Sequence, residues 1–384
     1  MMRTASRRFA RGCVCCPPEA PATGARRNFL AGGLATLGMA AAATPTRVFA
    51  QAAGGAGQGG PAAGPGPAPA VAPPPKTVID VHHHIAPPAY NQELIARGQN
   101  EPPLFRWSVQ KSLDDMDKAG VATAITSITT PGVWFGDAGA ARRLARKCND
   151  FAATLVRDHP GRFGMFASLP LPDVDGSLAE IAYAFDTLKA DGVGVMTSFG
   201  DKWLGDPAFE PVMEELNRRK AIVYTHPTLA DCCKGILPLV QRAVVEFQTD
   251  TSRAIGSVLF TGTAARFPDI RFIWSHGGGT MPFLYTRYLR MPDLNPNVRP
   301  NVPNGVDYEL KKFYYDVAQV AHPAALASLV HVAPTSRILF GTDFPYRSSA
   351  DHVQGVTAFF TDEAKRRGVL RDNALALIPR LKST

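Results

Sequence analysis

Beyond residue 50 the sequence has only three cysteines, Cys148, Cys232 and Cys233, and three thiols cannot build a disulfide framework. The adjacent pair Cys232-Cys233 reads as two reduced loop thiols, with a strained vicinal disulfide as the alternative. Charge of one sign is also scarce. Removing the seven arginines and one glutamate of residues 1–50 leaves 34 basic against 32 acidic residues. That near-balance excludes nucleic acid or an anionic membrane as the main partner. No glycine-rich loop follows the first strand-like run, which argues against a Rossmann dinucleotide site or a phosphate loop. The mildly apolar run from Ala31 to Ala40 is too short and too rich in Gly and Ala to span a bilayer comfortably.

What is present near the start is an address rather than a fold. Arg26-Arg27-Asn28-Phe29-Leu30 precedes that apolar run, and Val48-Phe49-Ala50 places small residues for cleavage before Gln51. Residues 1–50 therefore read as a twin-arginine export signal, with a periplasmic or exported destination and membrane association only if the signal stays uncleaved. Cys13, Cys15 and Cys16 would be discarded with it. Residues 51–76 are almost wholly Ala, Gly, Pro and Gln, lack large apolar side chains and read as a flexible tether.

From residue 77 to 384 short β-branched runs alternate with longer amphipathic stretches. Eight runs read as strands: 77–82, 121–127, 162–168, 192–196, 221–226, 271–276, 313–317 and 337–342. Helical stretches between them include 112–119, 138–158, 177–190, 207–219 and a longer region, 236–266. Eight such βα units in about 300 residues predict an α/β fold, a single (β/α)8 TIM barrel.

A barrel of this kind carries its chemistry at the C-terminal ends of its strands. His82 and His84 end the first run, His226 the fifth and His276 the sixth, while Asp343 follows the eighth. Alternation along a strand sends Asp80, His82 and His84 to one side and Val81 and His83 to the other. Two imidazoles aimed at one point suit a metal ion. His83 then reads as a packed or hydrogen-bonded residue on the opposite face. His159, His331 and His352 read as structural or solvated, and His322 lies in the loop after the seventh strand.

These pieces carry a family resemblance. Asp80-Val-His-His-His resembles the Asp-x-His-x-His opening of the amidohydrolase superfamily. Met116-Asp-Lys-Ala-Gly-Val121, Thr225-His-Pro227, Ser275-His-Gly-Gly-Gly279 and Phe340-Gly-Thr-Asp-Phe-Pro345 are similar to the subfamily of 2-amino-3-carboxymuconate 6-semialdehyde decarboxylase and 6-methylsalicylate decarboxylase. The resemblance implies one divalent metal, zinc in the first instance and manganese as the alternative, held by His82, His84, His226 and Asp343, with no organic cofactor. It implies a catalytic His276, with Asp343 also a candidate for proton delivery. Arg287 would hold a substrate carboxylate across a homodimer interface, and Trp203 would lie over the substrate. Where some relatives have a second arginine this chain has Ser112, with Arg106 and Lys111 nearby, which favours a substrate with one carboxylate. The implied activity is nonoxidative decarboxylation of an aromatic or enol-like acid, such as a salicylate. The same metal constellation could instead direct water at an acyl carbon, so a lactonase or amidohydrolase-type hydrolase is the competing expectation.

Overall fold

The structure, a computed structural model, describes residues 74–383. The expected export signal, and the expected tether up to residue 73, lie outside the described residues. Among the described residues ten strands are formed: β1 (Val78–His84), β2 (Val121–Ser127), β3 (Phe163–Ser168), β4 (Gly192–Met196), β5 (Ser198–Phe199), β6 (Lys202–Trp203), β7 (Ile222–His226), β8 (Arg271–Trp274), β9 (Tyr314–Asp316) and β10 (Ile338–Leu339). Eight of them make one parallel sheet in the order β1-β2-β3-β4-β7-β8-β9-β10. It closes on itself where the Val81 N–H donates to the Phe340 carbonyl at 3.0 Å and the His84 N–H to that of Phe344 at 2.8 Å. The predicted barrel is therefore present, and each of the eight expected runs supplies one of its strands. The hairpin β5–β6, which pairs Ser198 with Trp203, is an addition. Two-residue strands are too short to leave a readable pattern.

Two apolar layers hold the barrel. Met116, Leu155, Ile181 and Val212 from the surrounding helices pack on Val78, Val121, Met165 and Val193 of the strands. Inside, Ile79, Val81, Ile125, Phe166, Tyr224 and Ile273 form a second cluster, joined by Leu377, Ile378 and Leu381 from the C-terminal segment. Phe166 and Tyr224 stack there with centroids 5.3 Å apart. Burying a side chain of this size is worth roughly 1.5–3 kcal/mol.

One detail of β1 departs from strict alternation. Asp80 pairs with Ala124 but His83 with Thr126, so one extra residue is accommodated in β1 between them. Val81 consequently joins Ile79 in the inner cluster, and Asp80 is bonded on the side that carries His83. His82 and His84 still point into the mouth. Bulges re-aim side chains next to active sites in this way.

Helix boundaries follow local chemistry. The helix Val109–Ala119 starts at Ser108, whose hydroxyl accepts from the Lys111 N–H, and stops at Gly120 in the left-handed region. The helix Ala138–Asp158 has the expected limits, with Asp137 as its cap. The stretch expected to be helical from residue 236 is helical only from Arg242 to Phe260, with a further turn at Thr263–Arg266. Ile236, Leu237, Leu239 and Val240 are instead exposed in the preceding loop. No helix among the described residues is long and apolar enough to cross a membrane.

Candidate metal centre

His82, His84, His226, His276 and Asp343 are all buried and meet at the C-terminal mouth of the barrel. One ligating atom from each of His82, His226, His276 and Asp343 lies within 4.8 Å of the others. His84 stands directly beside them: its Nε2 is 3.0 Å from Nε2 of His82 and 3.0 Å from Oδ1 of Asp343. The rings of His82, His84 and His226 lie edge-on to one another. Their centroids are 4.8, 5.4 and 4.7 Å apart and their planes cross at 76°, 79° and 80°. His276 is tilted at 47° to His82 but edge-on to His226 at 71°, with centroids 5.7 Å apart.

The hydrogen bonds behind the rings decide which nitrogens face inward. Nδ1 of His82 lies 2.9 Å from Oδ2 of Asp316. A carboxylate only accepts, so this nitrogen carries a proton and Nε2 is the ring atom that faces the centre. Nδ1 of His226 faces the Pro227 carbonyl at 2.9 Å, with the same consequence. Asp343 is held through Oδ2, which accepts from the Gln319 amide at 2.8 Å and lies 3.4 Å from Nε2 of His276. Its Oδ1 is buried without a hydrogen bond, 3.3 Å from Nε2 of His82. Two acceptor atoms at that distance repel unless positive charge lies between them. Imidazole nitrogens and one carboxylate oxygen are the donor set of a borderline divalent ion.

Electrostatics point the same way. Burial disfavours a charged His82, yet the charges of Asp316 and Asp343 outweigh it and lift its pKa to about 10. Burial holds His84 down, to about 4, and keeps His226 well below the usual histidine range. Burial also opposes ionisation of Asp343, but the charge of His82 and the bond to His276 hold its carboxyl well below the usual range. The protein's own charges thus favour one positive charge here, while the other two imidazoles stay neutral and able to ligate.

The backbone is strained around this point. Among non-glycine residues, His276, Gln319 and Asp343 adopt φ of 53°, 60° and 65°, just past the ends of β8, β9 and β10. Each such conformation costs on the order of 1–3 kcal/mol and persists only where its surroundings impose it. At Gly341 a Cβ would stand 2.9 Å from Cβ of His82, so only glycine lets the end of β10 approach β1 this closely.

The amidohydrolase family model matches residues 79–380. The chain belongs to that family. A 6-methylsalicylic acid decarboxylase of Aspergillus aculeatus is 37% identical over 319 residues, covering 79% of this chain and 96% of the relative. The 6-methylsalicylic acid decarboxylase of Penicillium expansum is 35% identical, covering 79% and 97%. Among solved structures, a dihydroxybenzoic acid decarboxylase of Polaromonas sp. JS666, with bound manganese and 2-nitroresorcinol, superposes with a TM-score of 0.70. At 21% identity over 79% of this chain and 97% of the other, it speaks to the shared fold.

Within this amidohydrolase the remaining expected residues fall in different places. Trp203 sits in the β5–β6 hairpin, half-buried, and its indole N–H donates to Asp250 at 2.7 Å. It makes no ring contact with the histidines among the described residues. Arg287 is exposed on the short helix Tyr285–Leu289, with no ion pair among the described residues. His83 is buried and hydrogen-bonded on the outer face, as alternation predicts. His322 is exposed, at the start of the helix Pro323–Val332. His352 is buried, and its Nε2 accepts from the Gln319 N–H at 2.9 Å, so it is structural. Cys232 and Cys233 are free.

Sequence reading missed Asp316 and Gln319. Asp316 orients His82 and also accepts from the His276 N–H at 3.0 Å, so one carboxylate ties two residues of the centre together. Its place at the end of the seventh strand run was a usable signal. Gln319 has no such signal, because its left-handed backbone and its reach to Asp343 exist only in the fold.

Proposed function

We propose that the protein is a metal-dependent, nonoxidative decarboxylase, a carboxy-lyase acting on an aromatic or enol-like acid of the salicylate type. The observation that carries this is the buried group of three mutually edge-on imidazoles and one carboxylate, in a chain that aligns over nearly the full length of 6-methylsalicylic acid decarboxylases. We assign His82, His84, His226 and Asp343 as the metal ligands. Nε2 of His84, 3.0 Å from both Nε2 of His82 and Oδ1 of Asp343, supports its place in that set. Zinc is the first expectation for such donors, with manganese as the alternative. When bound, the ion would supply positive charge that holds the acid and stabilises negative charge developing on it.

The chain's own residues do the rest. In decarboxylation the bond between the ring and the carboxyl carbon breaks, its electron pair stays on the ring carbon, and a proton must reach that carbon. His276 is placed for this: it is buried, and its Nδ1 has no hydrogen-bond partner, so one ring nitrogen is available to carry the proton. Gln319 and Asp316 hold Asp343 and His82 in place, and burial keeps bulk water away. Lys111 turns its ammonium to the Arg106 carbonyl and Ser112 is buried, which supports a substrate with a single carboxylate.

Arg287 would act from a second copy of the chain. Phe283, 86% exposed, and Leu294, 68% exposed, flank it as an apolar face for a homodimer. Sedimentation as an active monomer at micromolar concentration would reject this. Export through the twin-arginine route is part of the same reading, and unchanged export of an Arg26→Lys, Arg27→Lys variant would reject it. The central test is carbon dioxide release from 6-methylsalicylate and a hydroxybenzoate panel by zinc- or manganese-loaded protein, lost in His276→Ala. Products heavier by one water and no carbon dioxide would establish the hydrolase instead.

A further inference from the structure

A second arginine stands at the mouth within a single chain. Arg242, the first residue of the helix Arg242–Phe260, donates from Nη2 to Oε1 of Glu101, 141 residues away at the start of the turn Pro102–Phe105. The other oxygen of Glu101 accepts from the Tyr346 hydroxyl at 3.2 Å. Both ends of this bridge rest on the histidines. The Tyr346 ring is edge-on to His84 at 6.3 Å, and the Arg242 guanidinium lies 5.7 Å from the centre of Phe247, whose ring is edge-on to His226 at 6.4 Å. Residues following β1, β7 and β10 thus meet in one ion pair, one side chain removed from two of the proposed metal ligands.

Three features distinguish this pair from a fixed strut. The Arg242 side chain is 36% exposed and that of Glu101 12%, so a molecule arriving from solvent meets the cation first. Of the five N–H donors of a guanidinium, the hydrogen bond to Glu101 is the one Arg242 makes among the described residues. Glu101 keeps the Tyr346 donor if Arg242 turns away, so its carboxylate is not stranded. The crevice beside Arg242 is lined mainly by Leu229, Ile236, Leu237, Val240 and Val245, with Glu246 as its one acidic side chain. Ile236 is 57% and Val245 41% exposed, leaving apolar surface beside a cation, the complement of an aromatic ring bearing a carboxylate.

We propose that Arg242 is the carboxylate-receiving residue of the mouth, exchanging Glu101 for the carboxylate of the incoming aromatic acid, so that the Glu101–Arg242 pair is a gate opened by substrate. This deepens the decarboxylase reading and rests on it for the substrate class. It differs from the role of Arg287, which needs a second copy of the chain.

The pair makes a prediction of opposite signs. Glu101 competes with the substrate carboxylate, so Glu101→Gln should tighten salicylate binding to the zinc-loaded full chain by calorimetry, by about 3–10-fold. Arg242→Gln should weaken it by about 10–100-fold, the range of one charge-assisted hydrogen bond, while phenol binding stays unchanged. Arg242→Lys should fall between wild type and Arg242→Gln, and it keeps the test open if the glutamine variant folds poorly. Zinc content and thermal midpoint report on folding. Weakening by both substitutions would establish a strut and overturn the proposal, as would no change, or equal losses for salicylate and phenol. Binding needs no turnover, so opposite shifts without carbon dioxide release would reject the decarboxylase reading and leave the gate standing.

Discussion

His82 and His84 on one side and His83 on the other show how little a residue's identity says about its chemistry. All three are buried on the same strand, yet His83 has both nitrogens engaged, Nε2 with the Ser112 hydroxyl at 2.9 Å and Nδ1 with Asp80 at 3.2 Å. Its ring also stacks on Phe344 at 4.7 Å. It is a finished hydrogen-bonding unit. On the inner face, Nε2 of His82 meets Nε2 of His84 and Oδ1 of Asp343. What separates the faces is the neighbours: hydroxyl and carboxylate partners complete His83, whereas Nε2 of His82, Nε2 of His84 and Oδ1 of Asp343 converge on one another. Each face also has its own supporting carboxylate. Asp316 fixes His82 Nδ1 and the His276 N–H, while Asp80 accepts from the His82 N–H at 2.9 Å and the Thr342 hydroxyl at 2.7 Å.

If the inner face is the metal site, breaking it should remove the ion and the activity together. His226→Ala should purify without stoichiometric metal and show background activity, and a chelator should do the same to the wild type. At metal concentrations about 100-fold above Kd, loss of the ion should also remove about 2.7 kcal/mol of stability. Metal analysis and a thermal melt with and without chelator check both. A stoichiometric metal content in His226→Ala would remove that residue from the ligand set. One step further out, Asp316→Asn leaves a side chain of the same shape without the carboxylate charge that orients the Nδ1–H of His82. Metal affinity should fall by about 10–100-fold, with occupancy restored by excess metal.

Much of this inner face was legible in the sequence, because histidines are few and strand ends can be located by β-branched runs. His82, His84, His226, His276 and Asp343 all followed from that rule, and the barrel from the count of runs. Asp316 obeyed the same rule but was one acid among many. Gln319, and the approach of Arg242 to Glu101, depend on loop paths that leave no periodic trace. The loop at residues 236–241 misled for a related reason: its apolar residues resemble a buried helical face but are exposed. The bulge in β1 was illegible as well, since no residue type marks it.

The outer face should respond differently. His83→Leu leaves Asp80 and Ser112 each short of a partner in a buried setting, at a cost of roughly 1–3 kcal/mol. The metal content should remain stoichiometric, because His82 keeps Asp316 behind it. Denaturant unfolding of the metal-loaded protein, with metal analysis of the same sample, separates the two effects. Loss of the metal at unchanged stability would mean that the outer face ligates after all.

The smallest expected effect tests whether the two faces communicate. Thr342 precedes Asp343 and donates its hydroxyl to Asp80, and the Phe344 N–H in turn donates to that hydroxyl at 3.2 Å. Thr342→Val keeps the shape and removes the hydroxyl. Asp80 retains the His82 N–H and His83, so the net loss should be about 0.5–1.5 kcal/mol. If Asp343 is positioned mainly by Gln319 on the inner side, metal affinity should be nearly unchanged. If the outer chain sets the Asp343 backbone, affinity should fall in Thr342→Val even though no ligand and no direct neighbour of Oδ1 has been altered. Competition titration with a chromophoric chelator distinguishes these outcomes, and a large drop would show that the faces form one unit rather than two.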